Sequence, residues 1–349
     1  MKTIEPGKLH ELSKRILMAA GADERNAEGV AEHLVSTNLC GVDTHGVWHL
    51  SGYCDVLKSG EVVGNAWPDI LKETPTSALV SGNWGFGHIS AKFAMEKAIE
   101  KAGSQNVAVV SLVQSHHTGR LGYYTEMASK AGMVSMLVSG GYGEKAPATV
   151  PYGGRERVLH TNPIAMGLPA KDGYSILLDF ATTSASGVKI DNARSRNEEL
   201  PEGWIVDKAG RPTTNPNDFF DGGGHAPFGG YKGWGLMVAA EFMSQVLTGS
   251  HNYADDKYAG DVLRYQATTM VVFKADMFQS FEDYSSRSEE VLHRVRSVKP
   301  TEGFDKVMVP GDKEAETRAK RSKEGIPIAD ASWQTIVEAA RSLGITDLE

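Results

Sequence analysis

Apolar residues open the chain at helical spacing. Leu9, Leu12, Ile16 and Ala20 recur every three or four positions and Gly21 follows them, which predicts a helix closed by glycine. Asp23 is placed to cap a second helix carrying Ala27, Val30, Leu34 and Asn38, broken at Gly41. Asp43 or Thr44 can cap a third, running to about Lys58. From Ser77 the period changes. Ser77–Ser81 reads as a strand, then a glycine-rich turn, then a helix over 91–102. The apolar runs at 107–113 and 133–138 suit strands buried on both faces. Between them lie a polar loop, 114–122, and a helix, 123–130. Further strands are expected at 176–179 and 269–274, and a polar surface excursion at 192–217. A long helix is expected at 230–249, striped by Leu236, Ala240, Met243 and Leu247. Terminal helices are expected near 282–298 and 332–343, and the charged run 312–324 reads as a solvated helix. Strand and helix alternating after a helical start predict an α/β layer beside a helical one.

Composition narrows the function. The chain has 349 residues, 41% hydrophobic and 23% charged, an ordinary globular balance. With 36 basic against 44 acidic residues the net charge is -8, and no basic block occurs. That argues against nucleic acid and anionic membrane surfaces as partners. Cys40 and Cys54 cannot build a disulfide framework, so a reducing compartment is expected. The first residues lack the pattern of a signal peptide and no apolar run reaches about 18 residues, so the expected location is the cytoplasm.

Four clusters could carry chemistry. Thr44 and His45 start a stretch in which His45, His49 and Tyr53 stand four residues apart, one face of a continuous helix. A helix start tunes an imidazole for proton transfer, although a plain surface helix has the same spacing. His116 and His117 sit on the loop after a buried strand, where ligand sites of α/β layers lie. Adjacent residues point apart, so at most one enters a site. A metal-dependent hydrolase using His45, His49 and His117 is the rival of a different class, though no metal-ligand spacing supports it and no metal is expected. The turn Gly82-Asn83-Trp84-Gly85-Phe86-Gly87 fails the G-x-G-x-x-G pattern and reads as structural. Gly229-Gly230-Tyr231-Lys232-Gly233 opens a helix and suits an anion, with a packed glycine corner as the other reading. Asp179-Phe180-Ala181-Thr182 ends a strand, where small residues can approach a ribose or simply cap a helix.

Together these stretches, in this order, resemble the malate/L-lactate dehydrogenase family, the sulfolactate-dehydrogenase-like oxidoreductases. The matching blocks are Asp43-Thr44-His45-Gly46-Val47, the 115–119 loop with Gly122-Tyr123-Tyr124, and His160-Thr161-Asn162-Pro163-Ile164-Ala165. They continue with Leu178-Asp179-Phe180-Ala181-Thr182, Pro201-Glu202-Gly203-Trp204, Thr213-Thr214-Asn215-Pro216 and the 229–233 glycines, and the likeness spans about 5–345. The resemblance implies an α/β (α+β) sulfolactate-dehydrogenase-like fold, with a non-Rossmann NAD(P)-binding α/β domain over 76–274 and a helical domain from 1–75 and 275–349. It implies NAD or NADP as cofactor, a homodimer, and a small carboxylate substrate: a 2-oxo or 2-hydroxy acid of malate or lactate type, or a cyclic imino acid. By motif, His45 is implied as proton donor, Thr44 as its polar neighbour, and His117 as the second catalytic histidine. His49 and Tyr53 are implied on the substrate, and Ser139, Asp179, Phe180, Ala181, Lys232, Gly233, Pro310, Gly311 and Asp312 on the cofactor.

Two departures stand out. His49 occupies the place of the family's carboxylate-clamping arginine. A histidine clamps an anion when protonated, so KM is expected to rise between about pH 6 and 8 if it takes over that role. The segment 140–145 also differs from the family's loop.

Overall fold

The computed structural model describes residues 1–141, 147–258 and 266–348. A short strand, β1 (Lys2–Ile4), leads into α1 (Pro6–Ala20), whose first N–H groups donate to the Glu5 carboxylate and whose end turns through Gly21 at φ 118°. Asp23 caps α2 (Glu24–Leu39), accepting from the Asn26 N–H. The expected third helix is shorter than the spacing suggested. Two 3₁₀ turns, Asp43–His45 and Val47–His49, precede α3 (Leu50–Ser59). The cause is tertiary. Gly46 takes extended backbone against α2, where any added Cβ would collide with the Asn38 amide. Asn38 Oδ1 accepts from Val47 N–H at 2.9 Å, and its Nδ2 donates to Asp43 at 2.7 Å. A side chain from another helix thus takes the bonds that a continuous helix would have used.

The next elements build the sheet: β2 (Asp69–Glu73), β3 (Ser77–Ser81), α4 (Gly87–Gln105), β4 (Val107–Ser115), α5 (Gly122–Lys130), β5 (Met133–Gly140), β6 (Ile164–Pro169) and β7 (Ser175–Phe180). The 192–217 excursion is folded rather than irregular. It carries the end of α6 (Gly187–Ser195), the strands β8 (Ile205–Val206) and β9 (Pro212–Thr213), and the start of α7 (Pro216–Phe220), with β10 (Gly224–His225) completing a three-stranded sheet. Its small core is Ile190, Ala193, Leu200, Ile205 and Phe219, spaced too irregularly to show a period. Then come α8 (Tyr231–Glu241), which continues through a π-helical turn (Phe242–Val246), β11 (Gln266–Lys274), α9 (Phe281–Arg296), α10 (Asp312–Glu324), β12 (Ile326–Ile328) and α11 (Asp330–Ser342). As the charge run predicted, α10 buries no residue fully.

The main sheet runs β2-β3-β4-β11-β5-β6-β7. Only the β3–β4 pair is parallel; the rest are antiparallel. The apolar runs at 107–113 and 133–138 are buried because β11 lies between them and helices cover the sheet, not because the strands are parallel. One core joins α4 and α5 to the sheet through Ala94, Met95, Leu112, Tyr124, Leu137, Met270 and Val272. The helical core gathers Leu9, Ile16, Leu34, Leu50 and Tyr53 with Ile326, Ile328 and Ile336 from the C-terminal elements. The expected boundary at 75 falls after β2, which pairs with β3, and Leu292 of α9 packs on Ala170 and Val309 beside the sheet. Among the described residues no helix is long and apolar enough to cross a membrane.

Candidate active site

The two 3₁₀ turns after α2, the loop after β4 and the end of β7 meet around a cavity of about 320 Å³. Thr44, His45, His49, His117, Asp179, Phe180 and Ala181 all line it. His45 and His49 lie 6.1 Å apart between ring centroids, His45 and His117 5.8 Å, and His49 and His117 5.0 Å. The face anticipated for a continuous helix therefore forms from the two turns. Of the adjacent pair on the β4 loop, His117 lines the cavity and His116 does not.

Hydrogen bonds orient these groups. Thr44 Oγ1 lies 3.0 Å from His45 Nδ1. Asp179 Oδ2 accepts from the Gly122 N–H at 2.7 Å, and Arg120 Nε lies 4.0 Å away. Burial holds His45 below the ordinary imidazole range, with the Asp179 carboxylate opposing that shift. Burial raises Asp179, opposed by the Arg120 guanidinium, the Gly122 N–H and His45. Burial, then the neighbouring His45, push His49 down to about 4, against a hydrogen bond to the Thr44 backbone. His49 is therefore neutral between about pH 6 and 8. The rise of KM expected from a titrating clamp at His49 has no basis in the folded site.

Other implied residues stand elsewhere. Tyr53 is buried behind His117, not on the cavity wall. Ser139 is buried in β5, donating to the Ala267 carbonyl at 3.2 Å and 3.0 Å from Thr268 Oγ1. Pro310 accepts from the Leu177 N–H, and Gly311 turns at φ 99° into α10. The Asp312 carboxylate is taken up by Tyr174, Arg296 and the Val309 N–H. Two residues further, Glu314 lines the cavity instead. Lys232 is exposed at the start of α8, and Gly233 is buried with the Phe228 carbonyl where a Cβ would stand. Gly233 is thus a packed corner. Of the atypical 140–145 segment, positions 142–145 lie outside the described residues.

Residue reading missed several cavity residues: Arg120, His160, Gln266 and Glu314. Arg120 is buried, its backbone N–H donating to His33 Nε2 at 3.0 Å and its Nη1 reaching Cys40 Sγ at 3.4 Å. An isolated arginine in a glycine-flanked loop at a strand end was the signal available for it. Gln266 and Glu314 had none.

A second cavity, about 640 Å³, lies under the glycine corner, lined by Tyr152, Trp204, Phe228, Gly229 and Gly230. Phe180, on the wall of the first, packs edge-on against Phe228 with centroids 5.6 Å apart. The metal-centred reading finds no donor set. Among the described residues no group of three or more His, Cys, Asp or Glu could hold a metal ion. His45, His49 and His117 each spend a ring nitrogen on Thr44 or Tyr53.

The profile of a family described as malate/L-lactate dehydrogenase matches residues 4–337. A malate dehydrogenase of Pyrococcus abyssi is 32% identical over 342 residues, covering 96% of this chain and 93% of that protein. The solved malate dehydrogenase of Entamoeba histolytica superposes with a TM-score of 0.91 at 25% identity, covering 99% of both chains. A delta1-piperideine-2-carboxylate reductase from Pseudomonas syringae pvar. tomato does so at 0.86 and 30% identity, covering 97% of this chain and 100% of that one.

Proposed function

The chain belongs to the malate/L-lactate dehydrogenase family, and we propose that its histidine cavity interconverts a 2-hydroxy acid with its 2-oxo acid, or reduces a related cyclic imino acid. The observation that carries this reading is His45, hydrogen-bonded to Thr44 and lining one cavity with the Asp179 carboxylate at the end of β7. Members of the family are NAD(P)-dependent, and a bound nicotinamide supplies or takes the hydride. The residues present fit such a group. The backbone turns through Gly229 and Gly230 at φ 59° and 63° into the start of α8, a natural place for phosphate. Flat side chains line the cavity below, and the Phe180–Phe228 contact joins it to the histidines.

His45 is neutral in the resting site, so it accepts the hydroxyl proton in oxidation and returns it in reduction. The Asp179 carboxylate steadies the imidazolium that forms. His49 offers no fixed charge, and the cation at the wall, Arg120, is shared with Asp179 and Cys40. That favours substrates less dependent on a carboxylate clamp than pyruvate, cyclic imino acids among them. The reductase among the solved relatives supports this choice. A screen of 2-oxo, 2-hydroxy and cyclic imino acids with both nicotinamide cofactors tests the reading, and no turnover with any of them overturns it.

Lys232 is proposed to meet a cofactor phosphate beside the 229–230 corner. Lys232→Ala is expected to raise the cofactor dissociation constant by about 10- to 100-fold, the scale of a lost charge-assisted contact. Cofactor titration of the folded variant checks it. We further propose a cytoplasmic homodimer. Two free buried cysteines suit a reducing compartment. The helical segment from Tyr231 leaves Leu236, Phe242, Val246 and Leu247 exposed, an apolar surface that a second copy would cover. Sedimentation equilibrium showing a single-chain mass at micromolar concentration would contradict the dimer.

A further inference from the structure

Behind the cavity, a row of polar rings runs into the helical core where apolar side chains would pack as well. The Tyr53 hydroxyl lies between two imidazoles, 2.9 Å from His117 Nδ1 and 3.3 Å from His88 Nε2. His88 stands edge-on to His33 with centroids 4.7 Å apart. Tyr53, His88 and His33 are all at most 2% exposed. From this geometry we propose that Tyr53 and His88 are positioning residues that hold His117 in its Nε2–H tautomer. His117 then presents a fixed, neutral N–H to the substrate.

A phenol has one proton, so it donates one of these bonds and accepts the other. Bonds given by O–H are shorter than bonds given by N–H. We assign the longer, 3.3 Å contact to His88 Nε2–H donating to the phenol oxygen, which leaves the 2.9 Å contact as the phenol donating to His117 Nδ1. At the far end, His33 Nε2 accepts the Arg120 N–H at 3.0 Å, which leaves the His33 proton on Nδ1, where it has no hydrogen-bond partner. His88 Nδ1 has no hydrogen-bond partner. A proton there would be an orphaned buried donor, whereas on Nε2 it has the Tyr53 oxygen. Burial keeps His33, His88 and His117 well below the ordinary imidazole range, so each ring is neutral and carries one proton.

With Nδ1 receiving the phenol proton, His117 turns Nε2–H toward the cavity it lines. It can donate a hydrogen bond to a substrate oxygen but cannot take a proton. Of the two imidazoles 5.8 Å apart, only His45 is left to exchange one. The role toward substrate rests on the dehydrogenase reading above; the tautomer does not, and it is tested in the protein alone.

The test is a two-bond proton–nitrogen correlation spectrum of the full chain grown with isotope-labelled histidine. His117 is assigned by loss of its signals in His117→Asn. The parent is expected to show a bare Nδ1 and a protonated Nε2 at His117. In Tyr53→Phe and in His88→Leu the ratio of Nε2–H to Nδ1–H should fall by about 5- to 10-fold, the worth of one neutral hydrogen bond. His88→Gln, whose amide can still donate to the phenol, should keep the parent pattern. Protonated Nδ1 at His117 in the parent overturns the proposal without any variant. So does an unchanged ring pattern in both Tyr53→Phe and His88→Leu.

Discussion

His45→Gln lowers turnover by about 10²- to 10⁴-fold, the usual worth of a positioned proton-transfer group, and leaves the cofactor dissociation constant nearly unchanged. Glutamine keeps the polarity and roughly the reach of the ring but cannot cycle a proton. The reason for the large effect is the isolation of this group. His49 is neutral with its ring on the Thr44 backbone, and His117 is engaged by Tyr53. Neither of these two imidazoles is free to take over. Because burial depresses His45, oxidation of the 2-hydroxy acid should hold its rate from pH 8 down to about 7 and fall in more acid solution as the base is protonated. The measurements are kcat, KM and cofactor binding for parent and variant, with the substrate that the acid screen identifies. Near-parent turnover in His45→Gln removes this residue from the mechanism.

The second large effect is on stability. Acidification from pH 7 to 5 should weaken folding, by roughly 2 kcal/mol from His225 alone. Burial pushes His33 and His88 well below the ordinary imidazole range, and His225 down to about 3. In the unfolded chain the same rings take up protons below about pH 6.5. The unfolded state then binds more protons than the folded one, so stability is full above that pH and is lost as pH falls. His225 contributes about 1.4 kcal/mol per pH unit in that window, or roughly 2 kcal/mol by pH 5, and His33 and His88 add losses of the same sign. Such a loss is a large part of the whole stability of a typical domain, about 5 to 15 kcal/mol. Urea unfolding at the two pH values measures the difference. A change smaller than about 1 kcal/mol would mean that the buried rings gain protons without unfolding.

The amino-acid pattern by itself determined the local elements whose signal is short-range. The spacing of Leu9, Leu12 and Ile16, the Asp23 cap and Gly21 specify α1 and α2 through contacts three or four residues apart. The apolar run near 107 specifies β4, and the charged run specifies α10 at its observed ends. The family blocks also marked Thr44, His45, His117 and Asp179, which do meet at one cavity. Tertiary structure decided the rest. The helix expected from Thr44 became two turns because Asn38, on another helix, takes the Val47 N–H. Strands β2 and β6 escaped notice because an exposed edge and a strand broken by Gly167 and Pro169 show no clean period. The antiparallel order follows from β11 inserting between β4 and β5, a pairing more than 120 residues apart in sequence. Arg120, Gln266 and Glu314 reach the cavity, and Tyr53 and Asp312 turn to internal partners such as His117 and Tyr174, through contacts distant in sequence. Periodicity records which face of an element is dry. Which elements share that dryness, and so which polar side chains are forced together inside it, depends on how the sheet is assembled.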